Sequence, residues 1–166
     1  MSNVIVQTQL EDVKEYLENL VNEIEDVLNY HTIDSFSQEI EENKEFNKEL
    51  FSSLRRLVVY CQDNLESCSM LLHSKPFNKI AAERTLYKIY HQCIQEFFSP
   101  KKDLWYEDSR SAYTGKNAIV FRQKVPKAVE NIFASLETPS QRMREELEYY
   151  ETDYRTKMLQ INAMKE

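Results

Sequence analysis

Three histidines, His31, His73 and His91, are the residues whose type suits a metal site. A di-iron helical bundle needs Glu-x-x-His pairs on facing helices. The residues three before these histidines are Leu28, Met70 and Lys88, so that motif is absent. In an up-and-down bundle His31 and His73 end successive helices and fall at opposite poles, roughly 40 Å apart at 1.5 Å per residue. A shared three-histidine site is therefore not expected, and His91-Gln-Cys93 lacks the i, i+3 or i, i+4 spacing of helical ligands.

Two glutamate clusters could hold magnesium: Glu39, Glu41 and Glu42, and Glu145, Glu146 and Glu148. Glu41-Glu42 followed by Glu45 matches the Glu-Glu-x-x-Glu form of helical nucleotide pyrophosphohydrolases. It precedes its helix's apolar stripe and no second acidic motif faces it, so a solvated charged face is the simpler reading. Cys61 and Cys68 lie on an apolar stripe, where burial raises a thiol's pKa and makes it inert. No motif pairs a serine with a histidine. The lone glycine, Gly115, excludes a P-loop and a dinucleotide fingerprint, each of which needs several.

Charge is more informative. Residues 99–127 carry seven bases, Lys101, Lys102, Arg110, Lys116, Arg122, Lys124 and Lys127, against Asp103, Glu107 and Asp108. The segment is +4, which leaves −11 for the remainder of a chain whose total is −7. Trp105, Tyr106 and Tyr113 lie among these bases. Interleaved basic and aromatic side chains can bind phosphate, nucleic acid or an acidic protein surface. The competing reading packs the loop on the bundle, buries Trp105 and pairs its bases with bundle glutamates. Arg55 and Arg56 interrupt an apolar stripe. One could face this loop and complete an anion pocket, although a salt bridge to first-helix glutamates is simpler.

Long helices must position these groups. The chain has 166 residues, the length of one domain, 1–166, and it can bury roughly 70% of its unfolded surface. Ten tyrosines, eight phenylalanines and one tryptophan exclude disorder. A single glycine means few turns. Val6, Leu10, Val13, Leu17, Leu20, Ile24, Val27 and His31 recur in steps of four and three, which predicts a helix over 5–30. After a connector over 32–43, Leu50, Leu54, Leu57, Cys61, Leu65, Cys68 and Leu72 predict a second over 44–73, with Phe51, Val58 and Met70 widening its apolar face. Ser74 reads as an N-cap with Pro76 near the first turn. A third helix follows to about 98, with Phe77, Ile80, Tyr87, Tyr90, Ile94 and Phe97 inward.

Residues 109–122 read as two short extended pieces around a turn at 114–117, and Ala118-Ile-Val-Phe121 is the one β-prone run. A hairpin or ordered loop is expected between 105 and 123. Pro126 opens a short helix. Thr138-Pro-Ser-Gln141 fits a capping box that starts the last helix, 139–164. The fold expected is all-α: an antiparallel up-and-down bundle of four long helices and one short one, with a small insertion around 101–125.

The run Ser53-Leu-Arg-Arg-Leu-Val-Val-Tyr-Cys61 after an acidic first helix resembles the YpuI-like family of uncharacterised Firmicutes proteins. The likeness extends in general pattern over most of the length. It implies a bacterial cytoplasmic protein and no particular chemistry. The absence of a signal-like start, a membrane-length apolar run and an even cysteine count points the same way.

The function expected is a non-enzymatic binding or interaction module, with no cofactor or metal. Its candidate site is Lys101, Lys102, Trp105, Arg110, Tyr113, Lys116 and Arg122, and its partner an unknown protein or anionic ligand. The acidic remainder disfavours nucleic acid. The alternatives are a magnesium-dependent nucleotide hydrolase built on the glutamate clusters and a structural homo-oligomer, the simplest form a homodimer.

Overall fold

The computed structural model describes residues 2–31, 43–108, 110 and 117–165. Among them five helices and one two-stranded sheet form an all-α fold with a small hairpin insertion. Helix α1, Asn3–Tyr30, buries every apolar residue of its heptad stripe from Val6 to Val27. It starts two residues earlier than its stripe suggests because the Ser2 hydroxyl accepts from the Ile5 amide. Helix α2, Lys44–His73, has the bounds its stripe predicts. Phe51 and Val58 widen its buried face, but Met70 does not: it is 69% exposed.

Ser74 does not cap the third helix. Its backbone closes α2, and its hydroxyl points to the Pro76 carbonyl. The N-cap is Asn78, whose carboxamide oxygen accepts from the Ala81 amide at 3.1 Å. Helix α3 therefore starts at Lys79, and this register turns Ile80 outward. The helix runs to Ile89, widens into a π turn at Tyr90–Ile94, and ends in Gln95–Phe98. A π turn takes up an extra residue. The shift lets three adjacent pairs, Ile89-Tyr90, Cys93-Ile94 and Phe97-Phe98, all be buried.

Strand β1, Trp105–Glu107, pairs antiparallel with β2, Ile119–Phe121, placing Trp105 opposite Phe121 and Glu107 opposite Ile119. The β-prone run thus forms a strand, but its partner lies before residue 109. The turn at 114–116 is outside the described residues.

Helix α4, Lys127–Glu146, corrects a larger expectation. Thr138 is no cap, and Pro139 lies inside one continuous helix. Proline there removes a backbone donor and crowds the carbonyl four residues back. The packing offsets this: Val129, Phe133, Leu136, Ser140, Met143 and Leu147 are buried in an unbroken four-three rhythm across the proline. The break comes later, at a 3-10 turn over Glu148–Tyr150. Helix α5, Asp153–Lys165, buries only Tyr154.

The helices alternate in direction. Gln62 of α2 donates to Glu25 of α1, and Cys68 lies toward the opposite end, near Lys14. Tyr16 of α1 bonds Ser140 of α4, while Glu23 accepts from Ser135. Both pairings run antiparallel. No helix of the described residues is long and apolar enough to cross a membrane.

A candidate interaction face at the basic hairpin

Trp105 anchors the hairpin rather than forming its surface. It is 2% exposed, and its indole N–H donates to the Phe97 carbonyl at 2.7 Å. Phe133 meets its ring edge-on at 4.9 Å, and Phe121 packs on both. A buried indole needs one acceptor for its N–H, and the last turn of α3 supplies it. The hairpin thereby plugs the pole of the bundle where α3 ends and α4 begins.

Two charged residues of α4 clamp the hairpin. A single carboxylate oxygen of Glu137 accepts from the Ala118 and Ile119 amides at 2.5 and 3.0 Å. Arg144 makes a fork of two bonds to Glu107, 2.8 and 2.5 Å, and its guanidinium stacks 3.7 Å above the Phe98 ring. Forked geometry and partial burial make this the strongest ion pair described. It holds the Arg144 guanidinium above its ordinary value. Neither clamp was legible in the sequence. The relevant signal is an isolated acid or base on an otherwise apolar helical face, but nothing in the spacing identifies its partner.

Most of the described bases meet carboxylates at the surface. Lys102 lies 3.8 Å from Glu49 of α2, and Lys127 lies 3.6 Å from Glu130. Arg110 pairs with Asp108 at 3.4 Å, and Arg122 pairs with Asp103 at 3.1 Å while lying over the Tyr106 ring. Partners come from the segment itself as much as from the bundle. The Arg110 contacts hold the Asp108 carboxyl below its usual range, through the backbone amide first. Exposed pairs of this kind contribute little and yield readily to another anion. Lys101 and Lys124 are exposed and make no ion pair among the described residues. Tyr113 and Lys116 lie outside them. Between β2 and α4 runs a groove of about 510 Å³, lined by Ile119, Phe121, Lys124, Phe133, Ala134 and Glu137 among others.

The remaining chemistry-bearing residues disperse. The exposed His73 ring donates to the Ser69 carbonyl of its own helix, and the His91 ring donates to the Tyr150 carbonyl in a part-buried bond. Among the described residues no three of His, Cys, Asp or Glu are placed to hold a metal. Glu39, Glu41 and Glu42 lie outside them. Cys61, Cys68 and Cys93 are free and buried. The neighbouring Cys93 thiol and burial raise Cys61, while burial pushes Cys68 up to about 12. Arg55 lies over Phe51 rather than reaching the hairpin.

One grouping was missed. Asp12 and Glu15 of α1 face Glu146 and Arg142 of α4 across a cleft of about 400 Å³. Partial loss of hydration, then a hydrogen bond shared with Asp12, pushes the Glu146 carboxyl up to about 7. Beneath the cleft Tyr16 and Ser140 share a buried hydrogen bond of 2.6 Å.

A family model described as "Protein of unknown function (DUF3907)" matches residues 10–156. The uncharacterised protein YpuI of Bacillus subtilis (strain 168) is 43% identical over 151 residues, 91% of this chain and 84% of that protein. The resemblance read from the second-helix motif is borne out. No solved structure matches.

Proposed function

The chain belongs to the DUF3907 family of proteins of unknown function, and from that premise we propose that it is a non-enzymatic cytoplasmic interaction module. Its basic hairpin face receives an acidic partner or an anionic ligand. The carrying observation is the clamp: buried Trp105, Glu137 and the Glu107–Arg144 fork fix the hairpin to α3 and α4. Lys101, Lys102, Arg122 and Lys124 are left at the surface. A fixed backbone presents these bases without an ordering cost at binding. The −11 remainder confines attraction to the immediate surroundings of these bases, so binding is weak and salt-sensitive. Arg110, Tyr113 and Lys116 extend the same segment. Three buried free thiols support a reducing compartment.

The test is titration calorimetry with poly-glutamate at low salt and at about 150 mM salt. The native protein is expected to bind, more weakly at the higher salt. The double substitution Lys116→Glu and Arg122→Glu removes binding with melting temperature nearly unchanged. No binding by the native protein, with a lowered melting temperature in the variant, would show bases that only neutralise the bundle.

A further inference from the structure

Among the described residues the outer edge of β2 has no strand beside it, and its hydrogen-bonding parity can be read from the ladder. Asp108 N–H donates to the Ala118 carbonyl and Arg122 N–H to the Leu104 carbonyl. Residues 118, 120 and 122 therefore bond toward β1, and the intervening residues 119 and 121 turn their N–H and C=O groups away from it. Ala118, at the strand's start, bonds toward β1 through its carbonyl alone, and its N–H joins that of Ile119 on Glu137. The Glu137 carboxylate takes the place that a third strand's carbonyl would occupy at that end. Past it, the Phe121 N–H and the Ile119 and Phe121 carbonyls point into the groove between β2 and α4.

We propose that this groove takes an extended acidic segment of a partner protein, which adds to β2 as a third strand. The inference rests on the basic-face reading above and names its partner's form. The two walls set an alternating requirement. Ile119 and Phe121 face the bundle, where the Phe121 ring meets Phe133, so a strand beside them turns alternate side chains onto Phe133 and Ala134. By strand alternation half-buried Val120 and exposed Arg122 lie on the opposite side. Side chains there pass Arg122 and Lys124. Of the wall's two carboxylates, Glu137 holds two amides through one oxygen and Glu130 lies 3.6 Å from Lys127 in an exposed pair. Lys124 is exposed with no ion pair among the described residues, and with Arg122 it offers two bases to a passing carboxylate, which favours an acidic strand. Main-chain bonds give such additions their affinity, and alternate side chains give their specificity.

The probe is a blocked peptide of alternating glutamate and valine, followed by calorimetry and by exchange of the Phe121 amide. The expected result is binding with slowed exchange at Phe121, while Val120, already bonded to β1, is unchanged. N-methylation of the peptide at alternate residues should weaken binding about tenfold in one register and little in the other. Equal tolerance of both methylated registers, or unchanged Phe121 exchange on binding, overturns strand addition but leaves the basic-face reading standing. Equal binding of an alternating lysine-valine peptide overturns the acidic specificity. Phe121 protection that rises with protein concentration alone, with dimers in light scattering, makes a second copy the occupant and overturns the proposal. No binding of either the peptide or poly-glutamate defeats this inference and the proposed function together.

Discussion

Helix α4 handles carboxylates differently on its two sides. Toward the hairpin, one oxygen of Glu137 holds two backbone amides, and Arg144 takes the Glu107 carboxylate in a fork. Toward α1, Glu146 meets Asp12, and the two like charges compete for one proton. The first side locks an inserted element in place, whereas the second holds an electrostatic cost. The contrast shows that the acidic character of this chain is not uniform solvation. Some carboxylates fix the fold and others oppose it.

Breaking the lock should have the largest effect. Trp105→Ala removes the ring that joins the hairpin to Phe97 and Phe133, and is expected to cost about 3–5 kcal/mol in denaturant unfolding. Glu137→Ala leaves the Ala118 and Ile119 amides without their acceptor, at a cost of about 1–3 kcal/mol. Amide exchange in β2 should accelerate while α1 stays protected. Uniform acceleration throughout the chain would mean that the hairpin is not a separately held element.

On the other side the expected effects are smaller. Tyr16→Phe strands the buried Ser140 hydroxyl and should cost about 1 kcal/mol. Glu146→Gln acts in the opposite direction and depends on pH. In the unfolded chain this carboxyl ionises near 4.5, and in the fold it holds its proton to about 7. Between those values the folded state binds the extra proton, so stability falls as pH rises through the window. The substitution should therefore stabilise above pH 7 and do nothing below 4.5. Glu146 is exposed, and solvent screening limits the gain to under about 1 kcal/mol. A melting-temperature gain that shrinks as pH rises would contradict the shared proton.

The contrast also marks what the sequence disclosed. Apolar rhythm carries α1 and α2 almost to the residue, because each buries one continuous stripe. Local capping chemistry misled at Ser74 and at Thr138. Asn78 supplies the acceptor that the third helix uses, and the stripe from Phe133 to Met143 keeps α4 continuous through Pro139. The π turn has no signature in spacing; it resolves three adjacent apolar pairs that a regular α-helix could not bury together. For the site, the bases were legible as a charge run. Their clamps were not, since Glu137 and Ala118, or Arg144 and Glu107, meet only after the chain has folded. Trp105 was legible as aromatic among bases, but its indole turns inward to the Phe97 carbonyl.

The contrast between the two sides of α4 is tested most directly by mapping amide chemical shifts during a poly-glutamate titration. Shifts confined to Lys101, Lys102 and the stretch from Phe121 to Lys124, with none at Asp12 or Glu146, are the expected result. Shifts centred on Asp12, Glu15 and Glu146, or no shifts at all, would contradict a docking face at the hairpin.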